Sequence, residues 1–255
     1  MKGKTLFISG GTRGIGKAIV YAFAKKGCDI AFTYASNASV ADEMVEDLEK
    51  NYNIKAKAYE LNILEPETYK DVFESFDADF DRLDFFISNA IISGRSVVGG
   101  FGPFMRLKPK GLNNIWIATV DAFVVGAQEA AKRMEKNGGG SIISMSSTGN
   151  LVYTPNYAGH GANKAAVETM VRYAAAELGE KNIRVNALSG GPIDTDALKA
   201  FPNYEEVKAE VVARSPLSRM GEASDLTEAC IFLCSDGSSW LTGQTIIIDG
   251  GTTFK

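Results

Sequence analysis

The chain has 255 residues, of which 45% are hydrophobic and 23% charged, and its formal net charge is −4. This composition is typical of a globular protein and excludes disordered and collagen-like chains, and the acidic balance argues against a nucleic-acid-binding surface. No apolar run reaches the roughly 18 residues of a transmembrane helix, and the N-terminus lacks the apolar stretch of a signal peptide. We therefore expect a cytoplasmic protein with neither a nucleic-acid nor a membrane partner. Three cysteines without CxxC spacing and a single histidine predict no disulfide framework and no metal site.

Short β-branched apolar runs alternate with longer amphipathic stretches along the whole chain. This alternation predicts βαβ units, and hence an α/β fold with a doubly wound parallel sheet and helices on both faces, in a single domain over residues 1–255. Successive apolar residues such as those of Ile246–Ile248 are typical of strands that are covered on both faces. The predicted strands are Thr5–Ser9, Asp29–Thr33, Ala56–Leu61, Leu83–Ser88, Ser141–Met145, Arg184–Leu188 and Thr245–Ile248, and the predicted helices begin near Gly14, Ser39, Pro66, Asp121, Tyr157 and Ser224.

Two stretches interrupt this pattern. Residues 91–111 are rich in glycine and basic residues, and residues 190–218 contain three prolines and only a weak helix pattern. In open α/β sheets ligands bind beyond the carboxyl ends of the strands, and both stretches follow predicted strands. We interpret them as walls or a lid of a substrate pocket, with ordinary surface loops as the alternative.

A glycine motif follows the first predicted strand. Gly10, Gly14 and Gly16 are spaced for a tight turn, a close approach of the backbone to a ligand, and helix–strand packing. The helix that begins near Gly14 offers free N–H groups to a pyrophosphate. A strand before the motif and a helix after it distinguish a dinucleotide site from a structural turn, so the motif predicts dinucleotide binding.

The end of the second predicted strand bears on the choice between NAD and NADP. An acidic residue there binds the ribose hydroxyls and repels a 2′-phosphate. Here the strand runs on into Ala35, Ser36 and Asn37 without a carboxylate. Arg13, inside the glycine loop, is placed to face the same ribose. We therefore expect NADPH rather than NADH as the cofactor, with a solvated Arg13 as the alternative.

Several further motifs follow the glycine loop in order: Ser88-Asn89-Ala90, Ser146-Ser147, Lys164, Asn186-Ala187, Gly191-Pro192-Ile193 and Asp249-Gly250-Gly251. With these motifs the chain resembles the short-chain dehydrogenase/reductase family over nearly its whole length. The resemblance implies a Rossmann-type, seven-stranded sheet and assembly as a homotetramer.

The same resemblance implies which residues contact the cofactor. They belong to the glycine loop, to segments that follow other predicted strands, or to the helix of Lys164, whose ammonium would bind the hydroxyls of the nicotinamide ribose. The residues are Gly10, Thr12, Arg13, Gly14, Ile15, Gly16, Ser36, Asn37, Asn62, Ile63, Asn89, Ala90, Lys164, Pro192, Ile193 and Thr195.

The helix around Lys164 departs from the pattern of most of the family. Most members carry Tyr-x-x-x-Lys with the tyrosine as proton donor, but His160 stands four residues before Lys164, and the family's assisting asparagine falls at Thr119. Tyr157 stands seven residues before Lys164. This spacing resembles the enoyl-acyl-carrier-protein reductase branch, in particular its NADPH-dependent bacterial type III members. Similar segments include Pro155–Lys164, Ala127–Ala131, Asn137–Gly140, Val185–Lys199 and Gly243–Ile247.

The wider spacing has a chemical reason. In ketone reduction, charge appears on the oxygen next to the carbon that takes the hydride, whereas in enoyl thioester reduction it appears on the thioester oxygen, three bonds away. The acid must lie where the charge develops. On a helix, residues seven apart lie about 20° apart in azimuth and roughly 10.5 Å along the axis, against about 40° and 6 Å for four residues. If the segment is helical, the tyrosine keeps the face of Lys164 but its hydroxyl is shifted.

We interpret Tyr157, Lys164 and Ser147 as the catalytic residues, with Tyr157 as the donor to the developing enolate. Other interpretations stay open. Tyr157 could be a core tyrosine, Tyr153 a rival donor, and Ser147 a simple strand end. His160 titrates near neutrality when unperturbed and could be an acid, although we prefer it as a packing or pocket residue because it is shorter than tyrosine.

The resemblance thus implies reduction of the trans-2 double bond of enoyl-acyl-carrier-protein thioesters with NADPH, in bacterial fatty-acid elongation. One alternative is a carbonyl reductase of the 3-oxoacyl type that uses His160, Tyr153 or Ser147, and another is a nucleotide-sensing regulator that has lost the chemistry. A carrier-protein partner favours a basic rim, for which the candidates, if they are not simply a solvated loop, are Arg95, Arg106, Lys108 and Lys110.

Overall fold

A computed structural model of the chain describes residues 1–92, 97–199 and 204–254, apart from the side chains of residues 196 and 197. Of the residues singled out above, Arg95 lies outside these ranges. The strands of the described residues are β1 (Thr5–Ile8), β2 (Asp29–Tyr34), β3 (Ala56–Glu60), β4 (Phe85–Ser88), β5 (Gly140–Ser147), β6 (Ile183–Gly190) and β7 (Thr245–Ile248). They form one parallel sheet in the order β3-β2-β1-β4-β5-β6-β7, which confirms the predicted Rossmann-type fold.

Helices cover both faces of this sheet. The predicted helix starts lie within one residue of the observed starts, except that a 3₁₀ turn at Pro66–Thr68 precedes the third helix. In the described ranges, no helix is long and apolar enough to cross a membrane. The helices are α1 (Gly14–Lys25), α2 (Ala38–Tyr52), α3 (Tyr69–Asp79), α4 (Pro109–Trp116), α5 (Ala122–Lys136), α6 (Ala158–Leu178), α7 (Asp196–Lys199), α8 (Tyr204–Arg214) and α9 (Ala223–Cys234).

The core has two layers because successive residues of a strand point to opposite faces of the sheet. In β1, Phe7 faces the layer formed with α3, α5 and α6, and its ring stacks on Phe73 with centroids 4.4 Å apart. Leu6 and Ile8 face the other layer, which α1, α2 and α9 cover. Many of the predicted site residues follow the carboxyl ends of the strands β1, β4, β5 and β6.

Parts of both interrupting stretches are helical and not irregular loops, and their role as walls or a lid of a substrate pocket stays a prediction. Residues 91–111 include the 3₁₀ turn Phe104–Arg106, and Pro109 begins α4, which continues through the π-helical turn Ile117–Asp121 into α5. Proline is common in a first helical turn because its missing N–H is not needed there. Residues 190–218 contain α7 and α8. No residue of α8 is buried among those described, so the helix leaves little apolar periodicity in the sequence.

The last strand is less covered than predicted. β7 pairs only with β6 among the described strands and forms an edge of the sheet. Its central residue Ile247 is 43% exposed. The prediction that Ile246–Ile248 is covered on both faces was therefore wrong for a single chain.

Asp84 joins the start of β4 to the start of β1. Its carboxylate accepts the Thr5 N–H at 2.9 Å and the Arg82 Nε–H at 2.8 Å, and Lys4 Nζ lies 3.0 Å from it. Burial alone would raise the pKa of this carboxyl group, but the hydrogen bonds from Arg82, Thr5 and Lys4 hold its pKa below the usual value. The charged form is therefore stabilised in the folded chain.

We expect Asp84→Asn to lower the free energy of unfolding by about 2–3 kcal/mol at neutral pH, because three donors lose a charged acceptor. A carboxyl group with a lowered folded pKa stabilises the fold above its unfolded pKa, and this stability is lost as the pH falls through the folded pKa. The difference in free energy of unfolding between Asp84→Asn and the unmodified chain, measured by urea titration, should therefore shrink below about pH 4. Asp81→Asn, which alters an exposed neighbour, is the matched control, and an equal loss in the two variants would contradict the assignment.

Candidate active site

The turn between β1 and α1 depends on residues without side chains. Gly10 and Gly14 have φ angles of 71° and 53°, in the left-handed region that favours glycine. A Cβ at Gly16 would overlap the Gly10 carbonyl oxygen. The glycine spacing therefore serves both the tight turn and the close packing of α1 on the strand.

Asn89, just after β4, ties this turn to the neighbouring strand. Its side-chain amide donates to the carbonyl oxygens of Ser9 and Gly10, both at 3.0 Å. In return, the Ser9 hydroxyl accepts the backbone N–H groups of Asn89 and Ala90 at 3.0 and 3.1 Å. The strand order reverses direction between β1 and β4, and in open α/β sheets this switch point forms the ligand crevice.

The crevice fits the pyrophosphate of a dinucleotide. Within the described residues no side chain caps the N-terminus of α1, so its first N–H groups keep their capacity to donate to a phosphate. Thr195 lies beside the turn, since a Cβ built at Gly14 would be 4.0 Å from its Cγ2. The residues that would hold the dinucleotide follow β1, β4 and β6, and are Gly10, Thr12, Arg13, Gly14, Ile15, Gly16, Asn89, Ala90, Pro192, Ile193 and Thr195.

The predicted cofactor residues after β2 and β3 are engaged in their own turns. Ser36 and Asn37 are exposed, and the Asn37 side chain caps α2 by accepting a backbone N–H at 3.3 Å. The Asn62 side chain accepts a backbone N–H at 3.1 Å within its turn, and Ile63 packs against apolar residues. Contact of these four residues with the cofactor stays a prediction.

The end of β5 holds two charged side chains of α6. The Met145 carbonyl oxygen accepts Lys164 Nζ–H at 2.6 Å, and the hydroxyl of the next residue, Ser146, donates to the Glu168 carboxylate at 2.5 Å. Lys164 is only 6% exposed. Burial lowers the pKa of Lys164 to about 8, against the opposing effect of Glu168. The ammonium is therefore the main form at neutral pH, but by a narrow margin.

Tyr157 lies at the start of α6 and not within it. Its φ of −105° and ψ of 3° make it the N-cap residue, so the helical segment that the spacing argument required begins at Ala158, one residue after Tyr157. Its ring lies against Gly149, where a Cβ would come within 2.5 Å of Tyr157 Cδ1. Burial raises the pKa of Tyr157, and the nearby Ser147 side chain opposes that rise. The hydroxyl is therefore protonated at neutral pH and able to donate.

His160 is wedged between two aromatic rings. Its ring centroid lies 4.3 Å from that of Phe101 and 5.2 Å from that of Tyr157, and the residue is only 2% exposed. Burial lowers the pKa of His160 to about 3; the Lys164 charge adds to this effect, and the Ile92 backbone opposes it. Its Nδ1 has no hydrogen-bond partner in the described residues. This placement favours the packing interpretation of His160 over the acid interpretation.

A cleft of about 410 Å³ opens beside Tyr157. One wall is the segment Gly102–Phe104 of the first interrupting stretch, and the other is formed by residues between Gly149 and Ala158. Tyr153 belongs to that second wall but is 86% exposed. Tyr157 is half-buried and packs against Gly149 and His160, whereas Tyr153 is mostly exposed, which weakens Tyr153 as a rival donor.

Several residues around the site were missed in the sequence. Glu168 stands four residues after Lys164, a spacing that marks one helix face and could have been noticed. Phe101 and Gly149 carry no such signal, because only the fold brings them to Tyr157. Thr119, at the predicted position of the assisting asparagine, is buried in the π-helical turn that packs against α6.

The cysteines take no part in this site. All three, Cys28, Cys230 and Cys234, are buried, and burial raises the pKa of each thiol. In the part of the chain that the structure describes, no group of three or more His, Cys, Asp or Glu side chains is arranged to hold a metal ion.

Comparison with known proteins identifies the family. The family model described as enoyl-(acyl carrier protein) reductase matches residues 10–253. The solved structure of a short-chain type dehydrogenase/reductase from Mycobacterium ulcerans is similar with a TM-score of 0.92 and 26% identity, over 100% of this chain and 91% of that chain. The chain belongs to the short-chain dehydrogenase/reductase family. It is thus a member of a family of oxidoreductases.

Two relatives differ in the chemistry that their names describe. The 1-cyclohexenylcarbonyl-CoA reductase of Streptomyces collinus is 35% identical, over 96% of this chain and 85% of that protein. The 3-oxoacyl-[acyl-carrier-protein] reductase FabG of Staphylococcus aureus is 29% identical, over 97% of each chain. Members similar to this chain therefore include reductases of an unsaturated thioester and of an oxoacyl thioester.

Two further solved structures contain nicotinamide cofactors. A 7α-hydroxysteroid dehydrogenase complexed with NADH is 31% identical with a TM-score of 0.89, over 98% of this chain and 94% of that chain. A blue fluorescent protein from a metagenomic library, in complex with NADPH, is also 31% identical with a TM-score of 0.89, over 98% of each chain. Structural neighbours of this chain thus bind NADH or NADPH.

The single histidine of the chain allows a direct test of the site's burial. Because the pKa of His160 is lowered to about 3, its Hε1 NMR signal should not titrate between about pH 5 and 8 in the folded chain, whereas it should titrate near 6.5 in urea. Only the unfolded chain then binds a proton as the pH falls below about 6.5, so stability is lost towards pH 3. His160→Gln should reduce that loss. A folded-state midpoint above pH 5.5 would contradict the buried, neutral ring.

Proposed function

We propose that the chain reduces the double bond of 2-enoyl thioesters carried by acyl carrier protein, with a nicotinamide cofactor. The observation that carries this proposal is the position of Tyr157: it lines the cleft half-buried, its ring packs against Gly149, and it stands seven residues before Lys164. His160, four residues before that lysine, is neutral and enclosed.

Reduction of an enoyl thioester requires a hydrogen-bond donor at the thioester oxygen, away from the carbon that receives the hydride. When bound, the reduced nicotinamide supplies a hydride to the β-carbon of the enoyl group. Negative charge then develops on the thioester oxygen, and a preorganised donor at that oxygen lowers the barrier. The Tyr157 hydroxyl donates this hydrogen bond, Ser147 holds the hydroxyl in place, and the Lys164 ammonium holds the ribose.

His160 is a poor candidate for the donor. With a pKa of about 3, about one molecule in 10⁴ would carry the imidazolium at neutral pH. Phe101 and Tyr157 cover its two sides. A substrate carbonyl in the cleft therefore meets Tyr157 before it meets this ring.

Similarity supports the same reaction. The name of the Streptomyces collinus relative describes a thioester whose carbonyl is conjugated to a ring double bond, which is the electronic arrangement of a 2-enoyl thioester. The matching family model is described as enoyl-(acyl carrier protein) reductase. Carbonyl reduction of 3-oxoacyl thioesters is the second candidate, and the FabG relative favours it.

NADPH is the cofactor that we infer. Arg13 is exposed at the N-cap of α1, and no side chain of the described residues forms an ion pair with it. β2 runs into Ala35, Ser36 and Asn37, none of which would repel a 2′-phosphate. A free guanidinium beside the crevice suits that phosphate.

A carrier protein suits the outer rim of the cleft. Arg106, Lys108 and Lys110 are exposed on the segment that continues from the Gly102–Phe104 wall. Basic groups in this position attract an acidic carrier protein and speed its association. We infer that this rim receives the carrier.

We also infer the homotetramer that the family resemblance implies. Phe232, Trp240 and Ile247 are exposed, and Ile247 lies on β7, an edge strand of the sheet. Exposed large apolar side chains are candidates for an interface between copies of the chain. Light scattering of the purified chain measures the number of copies directly.

One assay separates the candidate functions. NADPH oxidation is measured with a crotonyl thioester and with an acetoacetyl thioester, each on acyl carrier protein and on coenzyme A. Faster turnover of the crotonyl substrates supports the proposal, and turnover of the acetoacetyl substrates alone would replace it with carbonyl reduction. Tight NADPH binding without any turnover would favour a regulator.

We expect Tyr157→Phe to slow crotonyl thioester reduction by roughly 10²–10⁴-fold, the range for a positioned proton donor. NADPH affinity should change little, because the lost hydroxyl serves the substrate. Single-turnover kinetics with separate cofactor titration measures both effects. Tyr153→Phe is the matched control and should stay within about tenfold of the unmodified chain. An inactive Tyr153→Phe variant together with an active Tyr157→Phe variant would make Tyr153 the donor instead of Tyr157.

Arg13→Ala should weaken NADPH binding more than NADH binding, because only NADPH carries the 2′-phosphate; a lost charge-assisted bond is worth roughly tenfold or more in affinity. Fluorescence titration with each cofactor measures the ratio. Lys17→Ala removes an exposed positive charge from the same helix and should leave the ratio unchanged. Equal losses for the two cofactors in Arg13→Ala would remove Arg13 from this role.

A further inference from the structure

Two neighbouring residues of β5 contact two residues one turn apart on α6. Met145 accepts from Lys164, and Ser146 donates to Glu168 at 2.5 Å. Because both contacts must form together, they set the position of α6 along β5 where Lys164 reaches the site. The reaction described above makes no use of Glu168.

Glu168 is a carboxylate in an unusual place, since it is only 8% exposed. A buried carboxylate is costly unless it is hydrogen-bonded and compensated by a positive charge. Ser146 supplies the hydrogen bond. Lys164, one turn before Glu168 on α6, supplies the positive charge. The Glu168 carboxylate correspondingly raises the pKa of Lys164.

The surroundings of Lys164 offer no second countercharge in the described residues. On its own segment, His160 is neutral and Tyr157 is protonated at neutral pH. The neighbouring parts of β5, β6 and the π-helical turn contribute the uncharged buried residues Ser144, Ser189 and Thr119. On α5, which also packs on α6, the buried Glu129 is paired with Lys132 and Arg133. Among the described residues, Glu168 is therefore the one charged group placed to offset the burial of Lys164.

We propose that Glu168 is a positioning residue for Lys164: its bond to Ser146 fixes α6 on β5, and its charge keeps the lysine in the ammonium form that holds the cofactor ribose. This inference rests on the proposed cofactor role of Lys164 and is independent of whether enoyl or carbonyl groups are reduced. Without the Glu168 charge, Lys164 loses its proton at lower pH, and the ribose loses a charged donor.

The first test observes Lys164 itself. In ¹³Cε-lysine NMR spectra of the cofactor-free chain, the Lys164 signal is the one that Lys164→Met removes. It should titrate near pH 8 in the unmodified chain and about one pH unit lower in Glu168→Gln, the usual effect of losing a nearby opposite charge. Glu177→Gln removes an exposed carboxylate from the same helix and should leave the midpoint unchanged.

The second test measures NADPH affinity against pH by fluorescence titration. At pH 6, where Lys164 is charged in both proteins, Glu168→Gln should bind NADPH within about twofold of the unmodified chain. At pH 8.5 it should bind NADPH roughly five- to tenfold more weakly than the unmodified chain. Glu168→Asp keeps the charge and should restore most of the affinity at pH 8.5. Ser146→Ala keeps the charge but loses the bond, so it should weaken binding at both pH values without moving the lysine midpoint.

Two results would overturn the proposal. One is an unchanged Lys164 midpoint in Glu168→Gln, and the other is an equal loss of affinity at pH 6 and 8.5, as expected of a merely structural residue. If Glu168→Gln does not fold, Glu168→Asp and Ser146→Ala, which both keep the carboxylate, still test the proposal. A Lys164 titration midpoint that changes in Ser146→Ala but not in Glu168→Asp would contradict it. Full NADPH affinity in Lys164→Met would instead refute the cofactor role of Lys164, which separates the two failures.

Discussion

The parallel pairing of β1 with β4 is the constraint on which the candidate site depends. It brings the turn after Ile8 next to the turn after Ser88, at the point where the strand order reverses. The two turns approach closely because Asn89 satisfies carbonyl groups of the glycine loop and because Gly16 has no side chain to hold α1 away. A crevice lined by backbone N–H groups results from sheet topology and glycine chemistry acting at the same place.

The second half of the site is built on the contact between β5 and α6. Burial there acts on Tyr157, His160 and Lys164 in one direction, because it disfavours the charged form of each: it raises the pKa of the tyrosine and lowers those of the histidine and lysine. The consequences differ because the partners differ. The tyrosine keeps its proton, the histidine is neutral, and the lysine is protonated at neutral pH with its pKa raised by Glu168. One physical effect thus leaves three side chains in different protonation states.

The cleft wall is attached to α6 through glycines rather than through large side chains. A Cβ at Gly159 would come within 2.5 Å of the Gly100 carbonyl oxygen, and Gly111 is packed as closely against Gly99. Phe101, between these contacts, reaches His160 and through it Tyr157. A change in this wall therefore reaches the candidate donor by direct packing, which links the shape of the substrate cleft to the position of the hydroxyl.

Strand alternation and glycine conformation are local properties of the chain, so the sequence was enough to predict the sheet and the glycine turn. It also placed the start of α6 within one residue, although Tyr157 is the N-cap and not part of the helix. It did not reveal α8, whose described residues are all unburied and so leave no periodic pattern. Nor did it reveal the exposed edge at β7, since coverage depends on what lies beside a strand. The neutral state of His160 required Phe101 from a distant segment, and the Ser146–Glu168 bond joins residues 22 positions apart. Only the tertiary structure decided these features, because burial and charge compensation depend on which segments the fold brings into contact.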